Sequence, residues 1–157
     1  MKKSLIILAL VAGCGASGRG QGDGGGAGSA AGAAGPLIGL YQSGAGVRAS
    51  QMCILRKADK AQFGVTVWGR NLRACSGAGT ATLSGERLTL VMAGDSPCTL
   101  DATLKGGIVA FPASIPATCA YYCGAGASFA DVRLTKQGST RADALKAKDV
   151  AGEPLCG

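Results

Sequence analysis

Seven cysteines and no histidine occur among the 157 residues, and these two counts bound the chemistry open to the chain. Without imidazole there is no Ser-His-Asp triad, no Cys-His pair and no imidazole base. Gly-x-Ser-x-Gly and Ser-x-x-Lys do not occur. No Cys-x-x-Cys pair is present, so a zinc site is not expected, nor any other metal or cofactor. Carboxylates remain as acid–base groups. Glu86, Asp95 and Asp101 are the candidates in the sheet region, and a hydrolase would need two of them in one cleft. Asp95 sits in a Gly-Asp-Ser-Pro turn, where capping the turn is its ordinary role. The glycine-rich stretch precedes any strand and lacks a Gly-x-x-x-x-Gly-Lys-Ser/Thr phosphate loop. No catalytic residue is assigned. The chemistry left to the cysteines is cross-linking and acylation.

The N-terminus separates one cysteine from the rest. Lys2 and Lys3 precede a short apolar run from Leu5 to Val11, which is too short to span a bilayer and has the proportions of a secretory signal. Val11-Ala12-Gly13-Cys14 then resembles the lipobox of bacterial lipoproteins. That resemblance implies that residues 1–13 are removed and that Cys14 carries fatty-acyl chains such as palmitate at the new N-terminus. An ordinary cleaved signal ending at a chance cysteine is the alternative. By the same resemblance Gly15, which is not aspartate, implies the periplasmic face of the outer membrane.

With Cys14 set aside, Cys53, Cys75, Cys98, Cys119, Cys123 and Cys156 remain. An even six in an oxidising compartment predicts three disulfides. Loss of Lys2 and Lys3 takes the formal charge from +7 to +5. The positive charge is spread along the chain, which is weak evidence for any partner. Export argues against nucleic acid. It leaves the membrane through the anchor, another envelope protein, or an anionic envelope polymer.

The elements that must position these groups are strands. Residues 14–35 comprise Cys14 and a Gly/Ala/Ser tether without large apolar side chains, which cannot offset the entropy of ordering. Residues 36–157 read as a single β domain. Eight short segments rich in β-formers are predicted: 37–42, 51–57, 62–68, 73–83, 87–92, 98–105, 107–111 and 128–135. Turn-formers separate most of them. Phe63, Val65 and Val67 share one face; so do Leu88, Leu90 and Met92, and Cys98, Leu100, Ala102 and Leu104. Threonines and Asp101 fill the opposite faces, so Asp101 is expected to point outward. One buried and one wet face imply an antiparallel meander, closed or nearly closed into a small barrel, with a sandwich as the alternative. Ser139 is read as the N-cap of a short helix over 140–148, with Cys156 pinning the tail.

A meander alternates strand direction. Cys53, Cys75, Cys98, Cys119 and Cys123 are therefore expected at one pole with Arg48, Arg70 and Arg73. Lys57, Lys60, Lys105 and Lys136 belong at the other. Six cysteines allow fifteen pairings, and Cys75 with Cys98 is one reasonable choice. Trp68, the sole tryptophan, reads as core or half-buried packing, or as a binding platform. Cys119-Ala-Tyr-Tyr-Cys123 reads either as an exposed contact loop, since tyrosine gives contact area at low entropy cost, or as a plug with one ring inward.

The segments Gly39-Leu-Tyr-Gln, Gln51-Met-Cys-Ile, Val67-Trp-Gly, Ala74-Cys-Ser-Gly, Val91-Met-Ala-Gly-Asp and Cys119-Ala-Tyr-Tyr-Cys123-Gly resemble uncharacterised exported lipoproteins of alphaproteobacteria, sphingomonad-like ones in particular. That resemblance implies no activity. The domain is more loosely similar to membrane-bound lysozyme inhibitors, small lipid-anchored barrels with disulfides. Their Ser-Gly-x-x-Tyr type loop is not found here, and a positive domain is a poor match for cationic lysozymes. The sequence is therefore read as a non-catalytic envelope lipoprotein, a tethered binding or structural module. Tyr121, Tyr122, Arg70 and Arg73 are its candidate contact residues. Inhibition of a wall-degrading enzyme is the alternative, and a carboxylate-based hydrolase is a further one.

Overall fold

Alternation along the chain builds a barrel in which every strand meets the next. The computed structural model describes residues 36–157, so Cys14 and the tether lie outside the described residues. The strands are β1 (Gly39–Ser43), β2 (Ser50–Lys57), β3 (Lys60–Trp68), β4 (Ala74–Ser84), β5 (Arg87–Met92), β6 (Thr99–Lys105), β7 (Ile108–Ala110) and β8 (Arg133–Gly138). Consecutive strands pair antiparallel, and β8 returns to β1 to close the barrel. Closure removes both sheet edges and decides against the sandwich. At the pole where the chain arrives, two-residue turns join β2 to β3, β4 to β5 and β6 to β7. The last is Gly106-Gly107, with both residues at positive φ, as the turn of a twisted hairpin requires.

The inward faces fill the barrel. Tyr41, Met52, Ile54, Phe63, Val65, Leu88, Leu90, Leu100, Val109 and Leu134 are all buried in one cluster. An eight-stranded barrel is just wide enough for side chains to occupy its interior, and here they do. The Tyr41 hydroxyl donates to the Leu37 carbonyl 2.7 Å away, and the Lys136 ammonium lies 5.4 Å from the Tyr41 ring centre. Burial raises the Tyr41 pKa to about 12 and lowers that of Lys136.

A second, smaller core forms outside the barrel. Met52 and Ile54 point inward, so Cys53 between them points outward. It meets Leu40, Leu55, Ala144, Ala147 and Cys156 there. Cys53 and Cys156 are bonded, with Cα atoms 6.1 Å apart. The tail crosses Gly64 so closely that an added Cβ would lie 2.5 Å from the Leu155 carbonyl oxygen. Cys53 is thus mid-strand on the outer wall and not at the pole with the other cysteines. Side-chain parity, more than strand direction, decides its place.

Three further expectations are corrected. Cys75 and Cys98 do not pair. Cys75 lies on β4 and Cys98 immediately precedes β6, and these two strands flank β5, about two strand spacings or ~10 Å apart, beyond disulfide reach. Cys75 instead bonds Cys123 and Cys98 bonds Cys119, with Cα separations of 3.9 and 4.8 Å. The eighth strand begins at Arg133, not at residue 128. Ser128 accepts from the Ala130 amide in a turn, and Phe129 stacks on Phe111 at 6.1 Å. The helix, α1, is only Arg141–Ala144. Thr140, not Ser139, caps it, in a reciprocal box with Asp143. The chain then turns so that 147–156 can lie along β2 and β3.

Candidate binding site at the disulfide-capped pole

The connection from β7 to β8 spans residues 111–132 and folds across the end of the barrel. Two disulfides hold it, one to the start of β4 and one just before β6. Cys75 and Cys123 also form a backbone bridge, and the Gly124 amide donates to the Ala74 carbonyl at 2.9 Å. A 3-10 turn over Ala117–Tyr122 carries the two tyrosines. Their rings meet edge to face at 5.2 Å and then part in role. Tyr121 is 65 % exposed. Tyr122 is half-buried, and its hydroxyl donates to the Ser96 carbonyl at 2.7 Å. Ser96 in turn donates to the Thr118 carbonyl at 3.1 Å. Small residues make room for the Tyr122 ring: a Cβ on Gly94 would lie 2.8 Å from its hydroxyl oxygen. Tyr122 is therefore a latch for the cap, and Tyr121 is its outward face.

The β3–β4 turn lies beside the cap. A Cβ on Gly69 would touch Ala127, and one on Gly124 would touch the Arg73 side chain. The structure thus brings Arg70 and Arg73 to the same pole as the tyrosines. Both are exposed. Between them Asn71 and Leu72 have φ of 54° and 62°. A left-handed leucine is strained, and this one is 60 % exposed.

A groove of about 390 Å3 opens at Trp68, the residue that ends β3. The β1–β2 loop supplies Val47 and Arg48, the end of β3 supplies Trp68, and the tail supplies Lys148 and Val150. Trp68 is half-buried, and its backbone amide donates to the Ser50 hydroxyl. Val47 is 96 % and Val150 50 % exposed. Asp149, also on the groove, accepts from the Ala151 and Glu153 amides and caps its own turn. Gln51 accepts from the Lys148 amide at 2.8 Å and so positions the tail. Sequence reasoning named Arg48 and weighed Trp68, but not Val47 or Val150. The tail's course decides their neighbours, and no local pattern encodes it. A valine set between Gly46 and Arg48 in a turn-forming stretch was the one available signal.

The carboxylates do not assemble here. Asp101 is on the outer wall, bound by Arg87 at 2.8 Å and by the Thr89 hydroxyl at 3.0 Å. The hydrogen bond from Arg87, then that from Thr89, holds its carboxyl below the usual range. Glu86 pairs with Lys105 at 3.3 Å on the opposite pole from Asp95. Among the described residues, none of the ion pairs involves Arg48, Arg70, Arg73 or Lys148, and no cluster of acidic or cysteine side chains fits a metal ion. No helix in the described residues is long and apolar enough to cross a membrane.

Among the described residues the fold defines the class: a filled, closed eight-stranded antiparallel barrel with three disulfides and one short α-helix. No family model matches the chain, and no curated protein or solved structure gives a significant match.

Proposed function

We propose that the chain is a non-catalytic lipoprotein of the bacterial envelope, held at the periplasmic face of the outer membrane by an acylated Cys14. Its barrel presents the disulfide-capped pole to another envelope component. The observation that carries this reading is the distribution of exposed apolar groups. Val47, Leu72 and Tyr121 project from three separate connections at one pole, and Val150 stands beside them. Arg48, Arg70 and Arg73, which join no ion pair among the described residues, lie at the same pole. Aromatic and arginine side chains on a rigid frame are the usual anchors of a binding surface. The barrel interior is filled by its own side chains, which favours recognition on the outside over an internal ligand.

The test is capture from envelope extracts by the full chain. Replacing Tyr121 with Ala and Arg70 and Arg73 with Gln is expected to abolish capture while leaving thermal stability unchanged. Equal capture by these variants would remove the pole as the contact surface. Protection against a panel of muramidases would instead move the reading to inhibition. The intact mass of the native protein reads the anchor directly, and a mature chain without acyl mass on Cys14 would overturn it.

A further inference from the structure

We infer that the groove at Trp68 and the turn beside it dock the domain onto an anionic lipid surface. The inference rests on the binding-module reading above and names the partner of one sector of that pole. Three observations carry it. First, the apolar groups sit on protruding tips and not in a deep pocket. Val47, 96 % exposed, follows Gly44-Ala45-Gly46 at the crest of the β1–β2 loop. Leu72 takes the second left-handed position of the β3–β4 turn, which the Arg73 amide closes onto the Arg70 carbonyl; the turn requires that backbone, but a leucine there is strained where glycine is usual, and its side chain is 60 % exposed. Val150 forms the opposite rim. Second, Trp68 lies half-buried in the groove that Val47 and Val150 also line, and it leads into the turn that carries Leu72. A half-buried indole suits the level of lipid headgroups. Third, Arg48 and Lys148 line the groove and Arg70 stands in the neighbouring turn, none of them in an ion pair among the described residues, while Asp149 is turned onto backbone amides.

Apolar tips ringed by free cations match a surface whose outer layer is phosphate and whose next layer is hydrocarbon. Shallow insertion of the valines and leucine adds apolar burial, and the cations add attraction to anionic headgroups. An acidic polysaccharide would engage the cations but would gain little from Val47 or Leu72. The chain arrives at the opposite pole, where β1 begins. The segment 14–35 has a contour length of ~70 Å, against ~36 Å for the longest strand. The docking pole can therefore reach the leaflet that holds Cys14.

Trp68 is the only tryptophan, so its fluorescence reports on this groove alone. The full chain is mixed with vesicles of phosphatidylcholine and with vesicles containing phosphatidylglycerol. An acyl anchor alone would bind both compositions and leave the emission of Trp68 unshifted. Docking predicts a blue shift, and quenching by lipids brominated on the upper acyl chain, on the anionic vesicles only. Arg48→Gln and Lys148→Gln should each weaken the response about fivefold. Val47→Asp or Leu72→Gly should weaken it about tenfold or more. These four side chains are exposed, and melting no lower than that of the parent chain will show that the variants fold; Leu72→Gly, which relieves a left-handed leucine, should melt no lower. An unshifted Trp68 on anionic vesicles would overturn lipid docking. So would an equal response to a soluble acidic polysaccharide such as polygalacturonate, which would assign the groove to a glycan. If Trp68 is silent while capture from envelope extract still depends on Tyr121, lipid docking fails and the binding module stands.

Discussion

Cys53 and Cys156 are 103 residues apart in sequence and joined across the outer wall of the barrel, Cα to Cα 6.1 Å. This bond turns a stretch of wet sheet face into a second core. It also carries the tail past Trp68, so it shapes the groove at the capped pole. Replacing both cysteines with Ser is expected to cost about 2–5 kcal/mol. Trypsin should then cleave at Lys146 and Lys148 while the barrel core resists. Native proteolysis with mass mapping checks this, and a tail that stays resistant would show that packing alone holds it.

Gly64 depends on the same contact. A Cβ there would lie 2.5 Å from the Leu155 carbonyl oxygen. Gly64→Ala is expected to destabilise by about 1–3 kcal/mol through overpacking. In the Cys53→Ser/Cys156→Ser background the cost should shrink, because a released tail can move away. The double-mutant coupling, read from denaturant midpoints, measures the shared contact.

Tyr121 and Tyr122 should separate cleanly. Tyr122→Phe loses the hydroxyl bond to the Ser96 carbonyl and should cost about 1 kcal/mol. Tyr121→Ala removes an exposed ring and should change stability by less than about 0.5 kcal/mol. Melting curves decide, and the reverse order would invert the roles of latch and outward face.

Alkali should probe Tyr41. Its pKa is raised from 10.0 to about 12 by burial, so the folded state holds the proton more tightly than the unfolded chain. The stability this contributes is whole below pH 10 and is lost as pH rises from 10 to about 12. Tyr41→Phe should flatten that limb of the stability curve. Near neutrality it should also cost about 1 kcal/mol for the lost bond to the Leu37 carbonyl.

Acid should probe Asp143. Hydrogen bonds from Lys146 and then from Thr140 lower its pKa from 3.8 to about 2. A depressed carboxylate favours the fold above its unfolded value, and that contribution disappears as pH falls from about 4 to 2. Asp143→Asn should remove this acid limb. Exposure of the tail by hydrogen exchange in 141–147 is the readout, and an unchanged acid profile would count against the capping box.

Much of the architecture was legible from residues alone, for reasons of period and parity. Phe63, Val65 and Val67 alternate with polar neighbours, and a period of two can satisfy burial only as a strand. Gly106-Gly107 and Ser84-Gly85 announce tight turns, so the eight strands and their order could be read locally. Asp101 falls on the outward phase of β6, and the structure finds it there. Segment 112–132 resisted such reading because Phe129 is buried by stacking on Phe111 and not by alternation. The helix ended early because tail packing on β2 and β3 outweighs the favourable helix propensity of Leu145, Lys146, Ala147 and Lys148.

The amino-acid sequence by itself determined the strand order, the inward side chains and a set of six cysteines available for pairing. These follow from local patterning, where each residue answers only to its neighbours. Tertiary structure alone decided which cysteines meet, that Cys53 faces a tail a hundred residues away, and that Val47, Trp68 and Val150 share a groove. Those outcomes depend on how the closed barrel brings distant segments within ångströms of one another, and no local period carries that information.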